Sequence, residues 1–300
     1  MTAALQSFDE IPFIQRNGLK LYARRYRARH PSPEDARGRT RPLLCLAGLT
    51  RNSRDFHEIA INLSHGPRAR DVYTLDSRGR GHSDYDSNWR NYTVPSEMQD
   101  AVDFMIARGL AGAAILGTSR GGLIAMVMAA AQPGFLGPVI LNDIGPVIER
   151  DGLSRIASYV GRTPLPRDWK EAAALVRDMN GTAFTAVPES EWEPIARQLF
   201  NDRQGRPAPG YDAKLGQAFS SIDGPIPPLW AQFDALKHIP VMVIRGLNSD
   251  LLSQATVEAM RRRHPDLTEL AIAGQGHAPW LRDKASTSEI RRFLERTDQS

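Results

Sequence analysis

The chain has 300 residues, 41% hydrophobic and 24% charged, which suits one large globular domain or a core domain with an insertion. Its 38 Lys and Arg against 34 Asp and Glu leave a formal net charge of +4, too small to indicate a nucleic-acid partner. The single cysteine, Cys45, excludes an internal disulfide framework or a cysteine-based zinc site.

No segment of the sequence predicts secretion or membrane insertion. Residues 1–10 lack the basic stretch and apolar core of a signal peptide. The longest apolar run, residues 123–131, is far too short to span a bilayer. Cys45 lies within the apolar run Leu43–Leu46, so we expect a buried, unreactive thiol. The sequence therefore predicts a cytoplasmic protein without a membrane partner, and it leaves the oligomeric state open.

Short apolar runs predict the strands of a mostly parallel sheet. Each run is nearly continuous, as expected for strands covered on both faces, and helical patterns follow several of them, at residues 96–108, 121–132 and 256–264. Upstream, Asn17-Gly18 predicts a tight hairpin, so the sheet should begin antiparallel. The pattern is typical of an α/β fold. The predicted strands are Leu43–Leu46, Val72–Leu75, Ala113–Leu116, Val139–Leu141 and Val241–Ile244, with Leu267–Ile272 as a further strand-like run.

The alternation of strands and helices stops after Pro146 and resumes about ninety residues later. The interval is helix-like, is punctuated by prolines and contains three tryptophans. Because it exceeds an ordinary crossover connection, we interpret residues 146–235 as a helical lid inserted into a core domain of residues 1–145 and 236–300. Long crossover helices are the alternative interpretation. Residues 31–41, polar and proline-containing, predict a surface loop.

The main chemical signal is Gly117-Thr118-Ser119-Arg120-Gly121-Gly122, which joins a predicted strand to a predicted helix. In that context a G-x-S-x-G pattern exposes the serine hydroxyl on a sharp turn. Glycines are needed because neighbouring backbone passes too close for side chains. The helix N-terminus behind the serine favours developing negative charge. We therefore expect Ser119 to be a nucleophile, rather than part of an ordinary Gly-Ser turn.

A serine hydroxyl needs a base at neutral pH, and His277 is our candidate. It lies in Gly274–Trp280, just after a strand-like run, where flanking glycines free the loop to bring the imidazole to the serine. A surface-loop histidine is the alternative, but it would leave Ser119 without a base. The other six histidines are expected to be structural: His30, His57, His65, His82, His238 and His264.

The imidazole needs an anionic partner that fixes its tautomer. Asp250 follows the predicted strand Val241–Ile244 and gives the chain order Ser, Asp, His. Asp143 ends the preceding strand and is a rival, because an acid on a neighbouring strand end could reach the same imidazole. We expect Asp250 to be the third member and keep Asp143 as the alternative acid.

An oxyanion hole requires two preorganised backbone donors. One is expected to be the N–H of Arg120, directly after the nucleophile. The other is expected to be the N–H of Leu49, where Gly48 lets the backbone bend inward. The glycine-rich turn of residues 76–83 resembles a phosphate cradle, but it matches neither the P-loop nor the G-x-G-x-x-G pattern, so we assign no nucleotide site.

Together, the turn at residues 76–83, the Ser119 elbow, Ser249-Asp250 and Gly276-His277 resemble the α/β-hydrolase superfamily, in particular its lid-bearing esterase, enol-lactonase and C–C-hydrolase branch. The resemblance covers the chain except the lid. It implies the α/β-hydrolase fold and a triad of Ser119, Asp250 and His277. Many relatives have His-Gly where this chain has Ala47-Gly48, and serine at the elbow argues against epoxide hydrolases and haloalkane dehalogenases.

The predicted reaction is hydrolysis of a small-molecule carboxylic ester or lactone through an acyl-enzyme, without a cofactor or metal. The alternatives are C–C bond hydrolysis of a β-diketone-like substrate or cofactor-free perhydrolase or acyltransferase activity on the same triad. A ligand-binding receptor of the same fold is the non-enzymatic alternative. Trp280 is a possible substrate contact.

The Arg120 side chain has two possible roles. It could bind a substrate carboxylate or enolate beside the reacting carbonyl. Alternatively it could be an ion-paired scaffold, with Asp143 or Asp76 as its partner.

Overall fold

A computed structural model describes residues 7–30, 40–220 and 226–298 of the chain. Most of the predicted surface loop, residues 31–39, lies outside these ranges, as do the first six residues of the N-terminal segment examined for a signal peptide.

The described residues form an α/β fold around an eight-stranded sheet, as predicted. The strands are β1 (Asp9–Ile14), β2 (Lys20–Tyr26), β3 (Leu43–Leu46), β4 (Val72–Leu75), β5 (Ala113–Thr118), β6 (Leu136–Asn142), β7 (Asn201–Arg203), β8 (Arg206–Ala208), β9 (Val241–Gly246) and β10 (Leu267–Ile272). The helices are α1 (His57–Ser64), α2 (Val94–Arg108), α3 (Arg120–Ala131), α4 (Arg150–Tyr159), α5 (Trp169–Asn180), α6 (Trp192–Leu199), α7 (Leu215–Ser220), α8 (Trp230–Asp234), α9 (Gln254–Arg263) and α10 (Lys284–Thr297).

The sheet has the strand order β1-β2-β4-β3-β5-β6-β9-β10. Strands β1 and β2 pair antiparallel across the predicted Asn17-Gly18 turn, β2 pairs antiparallel with β4, and the remaining neighbours are parallel. The hairpin forms because Gly18 adopts a φ of 86°, which glycine reaches without steric cost. The carboxyl ends of the parallel strands therefore share one edge, where loops carry the functional side chains.

Helices cover both faces of the sheet. Apolar side chains of α2, α3 and α9 pack on one face, and those of α1 and α10 pack on the other. Strands β3 to β6 are buried along their whole length, which explains their continuous apolar sequences. Cys45 is among these buried residues, and burial raises the pKa of its thiol, so it is the unreactive cysteine that was predicted.

Helices α4 to α8 and the small antiparallel hairpin β7–β8 lie between β6 and β9. The apolar faces of α5 and α6 pack against each other around Trp192, Val176 and Phe184. Trp280, from the loop after β10, joins this cluster. The segment between β6 and β9 thus contributes to two clusters, because Ile156, Leu215 and Phe233 of α4, α7 and α8 belong to the main core cluster. The sequence pattern did not predict the hairpin.

Candidate active site

Ser119 lies on the turn that joins β5 to α3, with a φ of 50° and a ψ of −113°. A positive φ is strained for a residue with a side chain and is characteristic of functional sites. The turn fits because its glycines leave room for neighbouring backbone: a Cβ on Gly121 would lie 2.0 Å from the carbonyl oxygen of Leu46. This geometry holds the hydroxyl of Ser119 at the wall of a cavity.

His277 joins Ser119 to a carboxylate. Its Nε2 lies 2.8 Å from Ser119 Oγ, and its Nδ1 lies 2.8 Å from Asp143 Oδ2. The imidazole comes from the loop after β10, and Asp143 directly follows β6. Both side chains are buried. The predicted nucleophile and base are therefore brought together as expected, whereas the acid beside the base is the alternative one, Asp143.

The carboxylate of Asp143 is fixed in place by three donors. Its Oδ1 accepts a hydrogen bond of 2.8 Å from the Gly246 N–H. Its Oδ2 accepts one of 2.5 Å from Ser249 Oγ in addition to the contact with His277. The group is completely buried. Hydrogen bonds to both oxygens hold the orientation of the carboxylate toward the imidazole.

The prediction that Asp250 contacts the imidazole is wrong. Asp250 instead forms a two-pronged ion pair with Arg155 of α4, with Arg155 Nε 2.6 Å from Oδ2 and Nη2 2.9 Å from Oδ1. These hydrogen bonds hold the pKa of Asp250 below its usual range. Ser249, its neighbour, makes the contact with Asp143 described above. The loop after β9 therefore supports the carboxylate beside the base rather than providing it.

Arg120 and the loop that carries Leu49, from which the sequence predicts the oxyanion-hole N–H groups, both lie next to Ser119. Arg120 directly follows Ser119 at the N-terminus of α3. On the other side, a Cβ on Gly48 would lie 3.7 Å from Ser119 Cβ, so the loop carrying Leu49 passes close to the nucleophile. Within the described residues, no acceptor binds the N–H of Leu49 or of Arg120. Free donors beside a nucleophile suit a developing oxyanion.

The side chain of Arg120 is held by Glu97 of α2. Arg120 Nε lies 2.6 Å from Glu97 Oε2, and Nη2 lies 3.0 Å from Oε1. The prediction of Asp143 or Asp76 as its partner is wrong. Asp76 accepts the backbone N–H groups of Ser53 and His82. Asp143 contacts the imidazole of His277. Arg120 is thus a paired scaffold residue, and it is not among the residues that line the cavity.

Glu97 also binds a second arginine. Arg80 Nη1 donates to Glu97 Oε1 at 2.7 Å, and Arg80 Nε donates to the Leu49 carbonyl at 2.8 Å. Burial opposes ionisation of Glu97, but the charges of Arg120 and Arg80 outweigh it and hold the pKa of Glu97 below its usual range. One buried carboxylate thereby connects the loop of Leu49 to the turn after Ser119.

A cavity of about 180 Å³ opens at Ser119 and His277. Its wall is mostly apolar and comes largely from the segment between β6 and β9, including Ile156, Val176 and Phe200. Trp280 also lines the cavity, as its predicted role as a substrate contact requires, and packs against Phe184 at a ring-centroid distance of 5.7 Å. An apolar cavity with a few polar groups at one end is typical of small-molecule sites.

The comparisons with known proteins agree with the α/β fold of the described residues. Residues 43–288 match the family model described as Alpha/beta hydrolase family. The chain belongs to the alpha/beta hydrolase family.

Curated alpha/beta-hydrolase relatives cover most of this chain. It is 30% identical over 263 residues to a 3-hydroxybutyrate-oligomer hydrolase of Cupriavidus necator, covering 85% of this chain and 88% of the relative. It is 26% identical to a 2-(acetamidomethylene)succinate hydrolase of Mesorhizobium japonicum, covering 83% and 87%. The crystal structure of an alpha/beta hydrolase from Novosphingobium aromaticivorans is similar with a TM-score of 0.87 and 33% identity, covering 98% of this chain and 100% of that one.

Neither a metal site nor a membrane span is found in this alpha/beta hydrolase within residues 7–30, 40–220 and 226–298. No group of three or more His, Cys, Asp or Glu side chains in these ranges could hold a metal ion. No helix in them is both long and apolar enough to cross a bilayer.

Sequence reasoning missed the residues that support the site through ion pairs. Glu97 lies in a predicted helix and Arg80 in a turn that was noticed only for its glycines. Their pairing joins positions 17 residues apart. One signal was available: Arg120, next to the predicted nucleophile, requires an anionic partner if its side chain is buried.

Proposed function

We propose that this alpha/beta hydrolase is a serine hydrolase that cleaves carboxylic esters through an acyl-enzyme on Ser119. The observation that carries the proposal is the chain of two 2.8 Å contacts from Ser119 Oγ through the imidazole of His277 to Asp143. A nucleophile, a base and an orienting carboxylate in hydrogen-bond contact are what acyl transfer by serine requires.

In the proposed reaction, Ser119 Oγ attacks the ester carbonyl carbon while His277 Nε2 takes its proton. The N–H groups of Leu49 and Arg120 stabilise the oxyanion, and Asp143 stabilises the imidazolium. His277 then protonates the leaving alkoxide as the C–O bond breaks, which leaves an acyl-serine. Water attacks this acyl group as it gives a proton to His277. The bond between the acyl carbon and Ser119 Oγ then breaks, His277 returns the proton to Oγ, and the acid departs.

The relatives support an ester bond as the first one to test. The Cupriavidus protein is described as acting on 3-hydroxybutyrate oligomers, whose units are joined by esters. Short oligomers of this kind are therefore the proposed first substrates, with lactones as cyclic counterparts. We also propose that the insertion, residues 146–235, acts as a lid, because its side chains form much of the cavity wall over Ser119.

The test combines a covalent probe with turnover. A fluorophosphonate probe should label the wild type on Ser119 and leave Ser119→Ala unlabelled. With 4-nitrophenyl butyrate, the wild type should give steady turnover, and Ser119→Ala should lose at least about a thousandfold in kcat. Residual activity above about a tenth would overturn the nucleophile assignment.

The same assay separates the other functions. A receptor of this fold would release one burst of nitrophenol without turnover. A C–C hydrolase would cleave a β-diketone faster than the ester when both are assayed in parallel. Either result would replace the esterase proposal.

A further inference from the structure

The cavity beside Ser119 has an asymmetric charge distribution. Among the described residues that line it, two are arginines, Arg51 and Arg155, and none is an aspartate or glutamate. The remaining lining side chains are apolar or uncharged polar groups, together with the imidazole of His277. In an apolar wall, a guanidinium without a close carboxylate is a binding site for an anionic group.

Arg155 already has such a carboxylate. Its Nε and Nη2 donate to the two oxygens of Asp250 at 2.6 and 2.9 Å. A bidentate pair of this kind satisfies both partners and cancels their charge. Arg155 therefore contributes little net attraction for an anion in the cavity.

Arg51 is held much less tightly. Its Nη1 is 3.4 Å from Asp55 Oδ2 and its Nη2 is 3.3 Å from the Ala278 carbonyl, both beyond the usual range for such bonds. Its guanidinium carbon lies 3.8 Å above the ring of Trp280, which orients the group without neutralising it. Arg51 thus has N–H donors that a substrate carboxylate could bind at shorter distances than Asp55 and the Ala278 carbonyl do.

Asp55 is a weak counter-ion for Arg51. Burial raises the pKa of Asp55 above its ordinary value, against the opposing charges of Arg51 and Arg54. Its Oδ1 has no hydrogen-bond partner within the described residues, and Asp55 does not line the cavity. The positive charge of Arg51 is therefore the main charge that the cavity wall presents.

Arg51 also lies close to the reacting group. A Cβ on Gly48 would be 3.7 Å from Ser119 Cβ and 3.8 Å from Arg51 Cδ, so both side chains border the same side of this glycine. Arg51 is in the loop that carries the Leu49 N–H, two residues further along the chain. A substrate carbonyl at Ser119 would place the rest of a short molecule within reach of the guanidinium.

We propose that Arg51 binds a carboxylate of the substrate, so that this enzyme prefers short esters that carry a free carboxylate. The inference rests on the proposed esterase function and adds a substrate class to it. The ester bond meets Ser119, the apolar part of the molecule contacts the wall formed by the insertion, and the carboxylate accepts hydrogen bonds from Arg51. Arg51, rather than Arg120, is thus the residue that selects an anion, because Arg120 is paired with Glu97.

The test uses chromogenic ester pairs that differ in one charge. The mono-4-nitrophenyl esters of succinic, glutaric and adipic acid are compared with the same compounds in which the free carboxylate is a methyl ester. The spontaneous rate of hydrolysis is subtracted for each compound. Because a charge-assisted hydrogen bond contributes about 1.5–3 kcal/mol, the wild type should favour at least one free acid by about 10- to 100-fold in kcat/KM. Arg51→Met should raise KM for that acid by a similar factor and change KM for its methyl ester less than about threefold.

Two further variants make the result specific. Arg51→Lys keeps the charge and should retain part of the preference for the acid. The double variant Arg155→Met with Asp250→Asn removes a neutral pair from the same wall and should leave the ratio of acid to methyl ester unchanged. Thermal unfolding identifies any variant that fails to fold, and Arg51→Lys then carries the comparison.

The outcomes separate the two proposals. Equal effects of Arg51→Met on acids and methyl esters would overturn the role of Arg51, and so would a wild type that prefers no acid. In both cases, turnover of the methyl esters would still support the esterase function. No turnover of any ester, with no fluorophosphonate labelling of Ser119, would overturn the proposed function and this inference with it.

Discussion

Glu97 and Arg120 form a buried ion pair in which Arg120 Nε lies 2.6 Å from Glu97 Oε2. Arg120 directly follows the nucleophile, and Glu97 also holds Arg80, which binds the carbonyl of Leu49. The two N–H groups assigned to the oxyanion hole are therefore positioned through one carboxylate. Displacing such donors from the oxyanion lowers the rate of the chemical step more than it weakens substrate binding.

Glu97→Gln should lower kcat by about 10- to 100-fold and leave KM within about threefold. The reason is that the N–H groups of Leu49 and Arg120 lose the carboxylate that positions both of them. Steady-state kinetics with 4-nitrophenyl butyrate measures both constants. Asp100→Asn is the matched control: Asp100 lies on the same helix and binds Arg78 through two buried bonds of 2.6 Å, but the pair does not contact the loops of Leu49 or Arg120. Equal losses of kcat in both variants would show that Glu97 acts only on stability.

The stability that Glu97 contributes should depend on pH. Its pKa is lowered in the folded protein, so its ionised form stabilises the fold above its unfolded pKa of roughly 4.3. This contribution is lost as the pH falls through the folded-state pKa. The difference in free energy of unfolding between the wild type and Glu97→Gln should therefore be constant near neutral pH and narrow as the pH falls below about 5. Urea unfolding at each pH measures it, and a difference that does not narrow would contradict the ion-pair account.

Exchanging each acid for its amide should separate Asp143 from Asp250. Asp143→Asn should lower kcat by about ten-thousandfold, since asparagine cannot stabilise imidazolium at His277. Asp250→Asn should change kcat only a few-fold and cost at most about 1 kcal/mol in stability, because its pair with Arg155 is partly exposed. A larger loss at Asp250 would mean that the loop after β9 moves during turnover.

The elbow should be intolerant of a methyl group at Gly121. The new Cβ would lie 2.0 Å from the backbone oxygen of Leu46, which cannot move without distorting β3. Gly121→Ala should therefore destabilise the protein by several kcal/mol. Gly134→Ala is the control, because no atom lies within 4 Å of its added Cβ, and its stability should stay within about 0.5 kcal/mol of the wild type. Thermal unfolding compares the two.

The fold was predictable from sequence because its main signals are local. The apolar run Val72–Leu75 and the strand-like run Leu267–Ile272 match observed strands residue for residue. The glycines around Ser119 are likewise a local requirement of the turn. These features depend on neighbouring residues along the chain, which a sequence displays directly.

The choice of acid was not predictable in the same way. Asp143 and Asp250 both follow strands that end at the same edge of the sheet. What decides between them is a contact across 95 residues, from Arg155 to Asp250, and a hydrogen bond from Ser249 to Asp143. Sequence order reveals neither. The same limit applies to Arg120, whose partner Glu97 lies 23 residues away on another element.

His277 follows an edge strand of the sheet, whereas Ser119 and Asp143 follow the internal strands β5 and β6. Strand β10, which leads to His277, is one of the two edge strands of the sheet and pairs with β9. Outer strands open locally at a lower free energy than central ones. A brief separation of this strand would remove the base from Ser119 while β5 and β6 stay paired. The hydrolysis proposed for Ser119 therefore depends on an edge strand of the sheet, and gentle heating should lower turnover before the central strands exchange their amide protons.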